Sequence, residues 1–380
     1  MIFTYSACSS EKNSEVLHPT KENLYVSSDN NIIDVTKTKP DISKVSKKNI
    51  LSIIEDSQEL FSIGELYGDD ELMFGRIEDI EIDTFNRIYI LDLNKQHVRV
   101  FNFKGEYITT LGGKGQGPGE FEMASSMAVY RDEFLIVSNG YRLEIFDISG
   151  NEIKFNQTLQ FENAFLNICT LDDRLFAHRS ISLESAENSN AKPESSHTIQ
   201  AFALPSFEPL FSFGKSYKSK NPMVMSRLSP GYISCNELSE TVLFAFERMQ
   251  IVQGYSAKDG KLNWTSRIDG LRLTNIVETD EGGRTRLTYR TPKKDFMDII
   301  LPPVSFRDQF ELMQVIRRNV PNPDFESDTQ VLTILINSKD GTGSLISNDL
   351  PDIMKVTDEY VFTLSDDYIS TIINRLSFDE

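Results

Sequence analysis

One internal repeat constrains this chain more than any other feature: four short apolar strands joined by tight turns, recurring at a spacing of about 45 residues. The clearest unit spans residues 77–121. Ile80 and Ile82 alternate with Glu81 and Asp83, Asn86-Arg87 marks a turn, and Ile88-Tyr89-Ile90-Leu91 reads as a buried strand. Val98, Val100 and Phe101 give a third strand, Lys104-Gly105 a hairpin turn, and residues 107–111 a fourth. The same grammar returns at residues 127–130, 134–138, 142–147 and 152–155, with Ser149-Gly150-Asn151 at the turn. An apolar residue before glycine closes a fourth strand at Ile63-Gly64, Leu111-Gly112 and Phe213-Gly214.

Later units are weaker. Residues 166–177 and 198–213 make a third, interrupted by a Ser-, Asn- and Glu-rich stretch, 180–196, expected to be an exposed loop. A fourth runs from about residue 227 to 268 with its turn at Asp259-Gly260. A fifth occupies 271–337, where residues 306–320 carry helical periodicity and are expected to form a helical insertion. The sixth uses 353–356, 360–364 and 368–376, and lacks a fourth strand. Residues 59–63 look like a fourth strand with no predecessors, so pairing the two ends closes a ring and removes two unpaired edges. The expectation is an all-β fold: a β-propeller with six blades of four antiparallel strands, closed by an N-terminal strand joining the last blade. Residues 1–50 are expected to be a polar leader and 51–380 the propeller domain.

Charge narrows the partners. Fifty-seven acidic against 39 basic residues give a formal charge of -18, a field that repels nucleic acid and anionic membrane surfaces. Three cysteines, Cys8, Cys169 and Cys235, show no CxxC and no metal-like spacing, so neither a disulfide framework nor a zinc site is expected. No apolar run reaches the roughly 18 to 20 residues that span a bilayer.

At the start, Ser6-Ala7-Cys8-Ser9-Ser10 resembles the lipobox that ends a bacterial lipoprotein signal peptide, which would make Cys8 the lipidated residue. Seven residues precede Cys8, too few for a full signal, so the start is expected to be truncated if the motif is real. Farther on, Asn86-Arg87-Ile88-Tyr89-Ile90, Val98-Arg99-Val100-Phe101, Gly105 and residues 115–121 (GQGPGEF) resemble an NHL-type repeat, notably the bacterial six-bladed propeller lipoproteins of that group. The resemblance is good over residues 77–151, partial to about 268 and faint beyond. It implies the fold and a cell-envelope setting, periplasmic or outer-membrane, but no reaction, because propellers host many unrelated functions. Without the N-terminal motif the expectation would be cytoplasmic.

In a four-stranded meander, the loop from second to third strand and the loop leading to the next blade share one face. That face is expected to carry the ligand-binding candidates Asn94, His97, Lys114, Gln116 and Glu120. Gly112 to Gly117 is followed by Pro118 and a strand, not by a helix N-terminus, which argues against a phosphate cradle. The four histidines form no metal set, and no serine lies in a GxSxG setting. No catalytic residue and no cofactor is expected; calcium is the one metal that acidic residues near a central channel, with Glu78, Asp79 and Asn139 as candidates, could take. The expected function is a non-enzymatic binding or scaffolding propeller that recognises a protein or carbohydrate partner through loops on one face. The alternative is a calcium-dependent lactonase- or esterase-like hydrolase.

Overall fold

The computed structural model describes residues 14–16, 31–36, 47–181, 196–219, 221–281, 284–290, 295–320, 329–365 and 369–376. Blade 1 is the meander Ile77–Ile82, Ile88–Asp92, His97–Phe101 and Tyr107–Gly112, each strand antiparallel to the next. Its second strand is buried at every position because neighbouring blades cover both faces. The turn between third and fourth strands is fixed locally. Asn102 Oδ1 accepts from the N–H groups of Lys104 (2.9 Å) and Glu106 (3.0 Å), and Gly105 supplies the positive φ of 76°. Asp147 and Asn337 repeat the same side-chain turn in blades 2 and 5.

Blades 2 and 3 share one six-stranded sheet. The long strand Phe134–Asp147 bends at Gly140 (φ 62°), so residues 134–139 pair with Ala124–Tyr130 while residues 142–147 pair with the start of Lys154–Leu171. The rest of Lys154–Leu171 opens blade 3, followed by Arg174–Arg179, His197–Ala203 and Pro209–Lys215. The short helix Pro222–Leu228, capped by Asn221, leads to blade 4: Gly231–Asn236, Thr241–Phe246, Ile251–Ser256 and Leu262–Asp269. Blade 5 combines Val304–Phe306, Phe310–Val320, Thr329–Asn337 and Gly343–Ser347, with Asp295–Ile300 beside the far half of Phe310–Val320. Blade 6 is Ile353–Val356, Tyr360–Leu364 and Thr371–Arg375, completed by Gln58–Ile63, with Thr371 opposite Ile63. The N-terminal strand therefore closes the ring. Apolar clusters fill every seam between successive blades, from Leu91 and Met127 between blades 1 and 2 round to Ile63, Ile80 and Phe362 between blades 6 and 1.

Three expectations are corrected. Residues 306–320 are strand, not helix. Glu311 to Ile316 are buried on both faces, which erases the period-2 alternation that marks a half-exposed strand. Cys169 and Cys235 form a disulfide with Cα atoms 5.8 Å apart, because the ring brings the innermost strands of blades 3 and 4 side by side across a separation of 66 residues. Part of the leader is docked: Asn31–Asp34 adds a parallel strand to the outside of blade 4, with Ile33 and Val35 buried, and Ser14–Val16 pairs with the hairpin Asn275–Glu281 and Arg284–Arg290. Cys8 and most of the 180–196 insertion lie outside the described residues.

Candidate functional site: the central channel and the upper face

The six innermost strands line a central channel of about 1070 Å³. An innermost strand has an unpaired edge toward its neighbour, and its N–H groups need acceptors from elsewhere. Asp79, Ser126 and Asn167 occupy the same place in blades 1 to 3, each just after a one-residue bulge in the innermost strand. Asp79 Oδ2 accepts from Met127 N–H at 2.6 Å, Ser126 Oγ from Ile168 N–H at 3.2 Å, and Asn167 Oδ1 from Ile233 N–H at 3.1 Å, each reaching into the next blade. Lys355 has this position in blade 6 and reaches both carboxylate oxygens of Glu81 in blade 1 at 2.7 Å. Between blades 5 and 6 Gln314 Oε1 accepts from Ile353 N–H at 2.7 Å. Between blades 4 and 5 the Ser234 hydroxyl donates to Glu311 Oε2 at 2.7 Å. Every seam thus carries a polar latch, and the seam between blades 3 and 4 carries the disulfide as well.

The electrostatics of the channel follow from burial. Burial, with Glu81 beside it, holds Asp79 well above the usual carboxylate range. Glu311, fully buried, is pushed up to about 7, and Asp352 is pushed up to about 6, both by burial. Burial works against the Lys355 ammonium, yet Glu81 outweighs it and raises the pKa. At the upper mouth burial, with Glu247 and Glu78 in range, pushes Tyr232 up to about 12. Among the described residues no group of three or more His, Cys, Asp and Glu side chains is arranged to hold a metal ion.

The upper face, where second-to-third and blade-to-blade loops emerge, is held by buried acceptors. The Asp92 carboxylate takes N–H groups of Gly75 (2.6 Å), Arg76 (3.2 Å), Asn94 (3.0 Å) and Lys95 (3.0 Å). Asn139 has the matching position in blade 2, and its Oδ1 takes Glu122 and Met123 N–H, both at 2.9 Å. The loop after blade 1 is tied down by Arg142, which donates to the carbonyls of Gln116 (2.9 Å) and Glu120 (3.2 Å).

Comparison with known proteins agrees on the architecture. The chain resembles six-bladed propellers. The family model DUF5128, described as a 6-bladed beta-propeller, matches residues 35–203. A Bacteroides fragilis structure named "Putative exported protein" is 12% identical with a TM-score of 0.53, covering 92% of this chain and 99% of its own. A member of the duf4221 family from Bacteroides vulgatus is 10% identical with a TM-score of 0.52, covering 84% of this chain and 97% of its own. At these identities the likeness speaks for the fold alone. No curated protein sequence matches.

The residues singled out in the sequence fall into two groups. Lys114, Gln116 and Glu120 are exposed on the upper loop, where Gln116 Nε2 donates to Glu122 at 2.7 Å and Glu120 accepts from Gly117 N–H at 2.8 Å. Asn94 is exposed but donates to the Gly75 carbonyl at 3.0 Å. His97 points inward: its buried Nε2 lies 4.0 Å from Asp92, and burial, helped by Arg99, pushes its pKa down to about 4. Glu78 and Asp79 line the channel, whereas Asn139 is spent on loop backbone. Lys355, Asp352 and Glu311 were not foreseen, because blades 5 and 6 depart most from the repeat and their partners are far away in sequence.

Proposed function

We propose that this propeller is a non-enzymatic recognition or scaffolding module of the cell envelope, and that it binds a protein or carbohydrate partner on its upper face. The observation that carries the reading is a rigid loop platform with its apolar groups in water. Met123 is 58% exposed and Tyr67 85%, both on upper-face loops, and Tyr141, just after the Gly140 bend of its strand, is 52% exposed. Met123 packs over Gly140, next to Tyr141, and the loop bearing Lys114 and Gln116 is fixed to the same blade by Arg142. Loops already held in place lose little entropy when a partner docks.

The envelope assignment rests on three supports. The Cys169–Cys235 disulfide belongs to an oxidising compartment, a similar structure is named as an exported protein, and Ser6-Ala7-Cys8 resembles a lipobox. Lipid attachment at Cys8 and an NHL-type repeat ancestry are part of this proposal. The calcium-dependent hydrolase is the weaker reading, since Asp79 is spent on backbone N–H groups and Glu81 on Lys355.

A glycan array and a cross-linking screen with the full chain test the main reading, with Tyr141→Ala and Lys114→Ala as surface variants. Binding that both substitutions weaken supports the upper face; binding indifferent to both sinks it. Stabilisation by calcium that EDTA reverses, together with lactone or ester hydrolysis, would move the assignment to the hydrolase.

A further inference from the structure

Among the described residues the Cys169–Cys235 bond is the one covalent latch in the ring, and it stands at the channel wall. Both cysteines line the channel and both are part-exposed. Behind them the seam is packed. Phe176 and Val242, their partners in the two ladders, belong to the apolar cluster against which both cysteines lie. The bond is thus shielded on the blade side and faces the channel on the other. Two hydrogen bonds share the seam, Gly231 N–H to His178 Nε2 at 3.3 Å and Ile233 N–H to Asn167 Oδ1 at 3.1 Å. They remain when the bond opens, so reduction loosens the edge of Gly231–Asn236 without opening the ring.

A disulfide opens when a thiolate attacks one of its sulfurs, so access and charge decide which thiol succeeds. The channel holds about 1070 Å³, room for a small thiol and none for a folded protein. Its wall carries nine Asp and Glu side chains against three Arg and Lys. That excess repels a negatively charged attacker and favours one whose thiolate is balanced by an ammonium in the same molecule.

We propose that the seam between blades 3 and 4 is a redox-sensitive latch, closed as the disulfide and opened by a small cationic thiol that enters through the channel. The thiolate attacks one cysteine sulfur, forms a mixed disulfide with it, and releases the other cysteine as a thiolate that takes up a proton. A second molecule of the thiol attacks the mixed disulfide. Cys169 and Cys235 end as thiols, and the small thiol leaves as its own disulfide, having supplied both electrons. The latch is independent of any partner on the upper face.

The test uses the full chain, produced without lipid attachment and with Cys8 alkylated beforehand. It is treated at pH 8 and low salt with cysteamine, 2-mercaptoethanol or 2-mercaptoethanesulfonate at equal thiolate concentrations, and new thiols are located by maleimide labelling and peptide mass spectrometry. The same series on the guanidinium-unfolded chain gives the intrinsic reactivity of each thiol. Corrected for that, cysteamine should open the native bond at least about tenfold faster than 2-mercaptoethanesulfonate, in proportion to thiol concentration, and about 0.5 M salt should compress the ratio. A thioredoxin-type protein dithiol should leave the bond intact over the same period. On reduction, amide hydrogen exchange should rise at residues 231–236 while Trp264 fluorescence holds. A bond inert to all three thiols, equal corrected rates, a rate independent of thiol concentration, comparable reduction by the protein dithiol, or unchanged exchange at residues 231–236 would each overturn the proposal.

Discussion

Breaking the Cys169–Cys235 cross-link, by the double Cys→Ser replacement or by a thiol reductant, should cost this protein about 4 kcal/mol of stability. The bond closes a loop with a sequence separation of 66, and the chain-entropy relation applied to that length gives about 4 kcal/mol at 25 °C. The loop holds the outer three strands of blade 3, and the bond is the covalent tie between blades 3 and 4 at the channel wall. The Asn167–Ile233 hydrogen bond stays in place and does not substitute, since it constrains only the folded state. Trp264, the one tryptophan, is 6% exposed and donates from its indole N–H to the Ser338 carbonyl at 2.7 Å, which makes its fluorescence a reporter of unfolding. Guanidinium unfolding followed at Trp264 should move to a lower midpoint when the bond is broken, with a steeper slope because the denatured chain without the cross-link exposes more surface. Without reductant, the denatured protein produced without lipid attachment should expose one reactive thiol, Cys8, of its three cysteines. Equal midpoints with and without the bond would refute the loop-entropy argument, and three reactive thiols would refute the bond.

Other outcomes follow from the seams. Lys355→Met strips the cation from half-buried Glu81 and should cost about 3 kcal/mol in urea unfolding, whereas Lys114→Ala on the exposed loop should be near neutral. Glu311 and Asp352 have folded pKa values of about 7 and about 6, above the unfolded carboxylate range near 4. The folded state therefore holds their protons longer, so their contribution is fully present below about pH 4 and lost as pH rises through 6 to 7. Melting temperature should fall over that window, and Glu311→Gln should flatten the fall; a profile unaltered by the substitution would contradict it. Deleting residues 1–63 removes the Gln58–Ile63 strand and leaves blade 6 with a bare edge; size-exclusion chromatography should show association or loss of the folded monomer, and a stable monomer would count against ring closure.

The repeat was legible because its signals are local. Alternation in residues 77–111, the turn glycines Gly105 and Gly150, and the orphan strand near Ile63 each act within a few residues, and together they specified six blades and their closure. Local signals failed in blade 5, where burial on both faces of Phe310–Val320 removed the alternation. What the tertiary structure alone decided lies at the seams. Cys169 meets Cys235, Asp79 meets Met127 and Lys355 meets Glu81 only because the ring sets successive innermost strands side by side. No sequence spacing encodes those contacts, since Lys355 and Glu81 stand 274 residues apart. Period-2 alternation and turn chemistry make a blade; the distance between blades, and so the channel with its latches, exists only once the ring has closed.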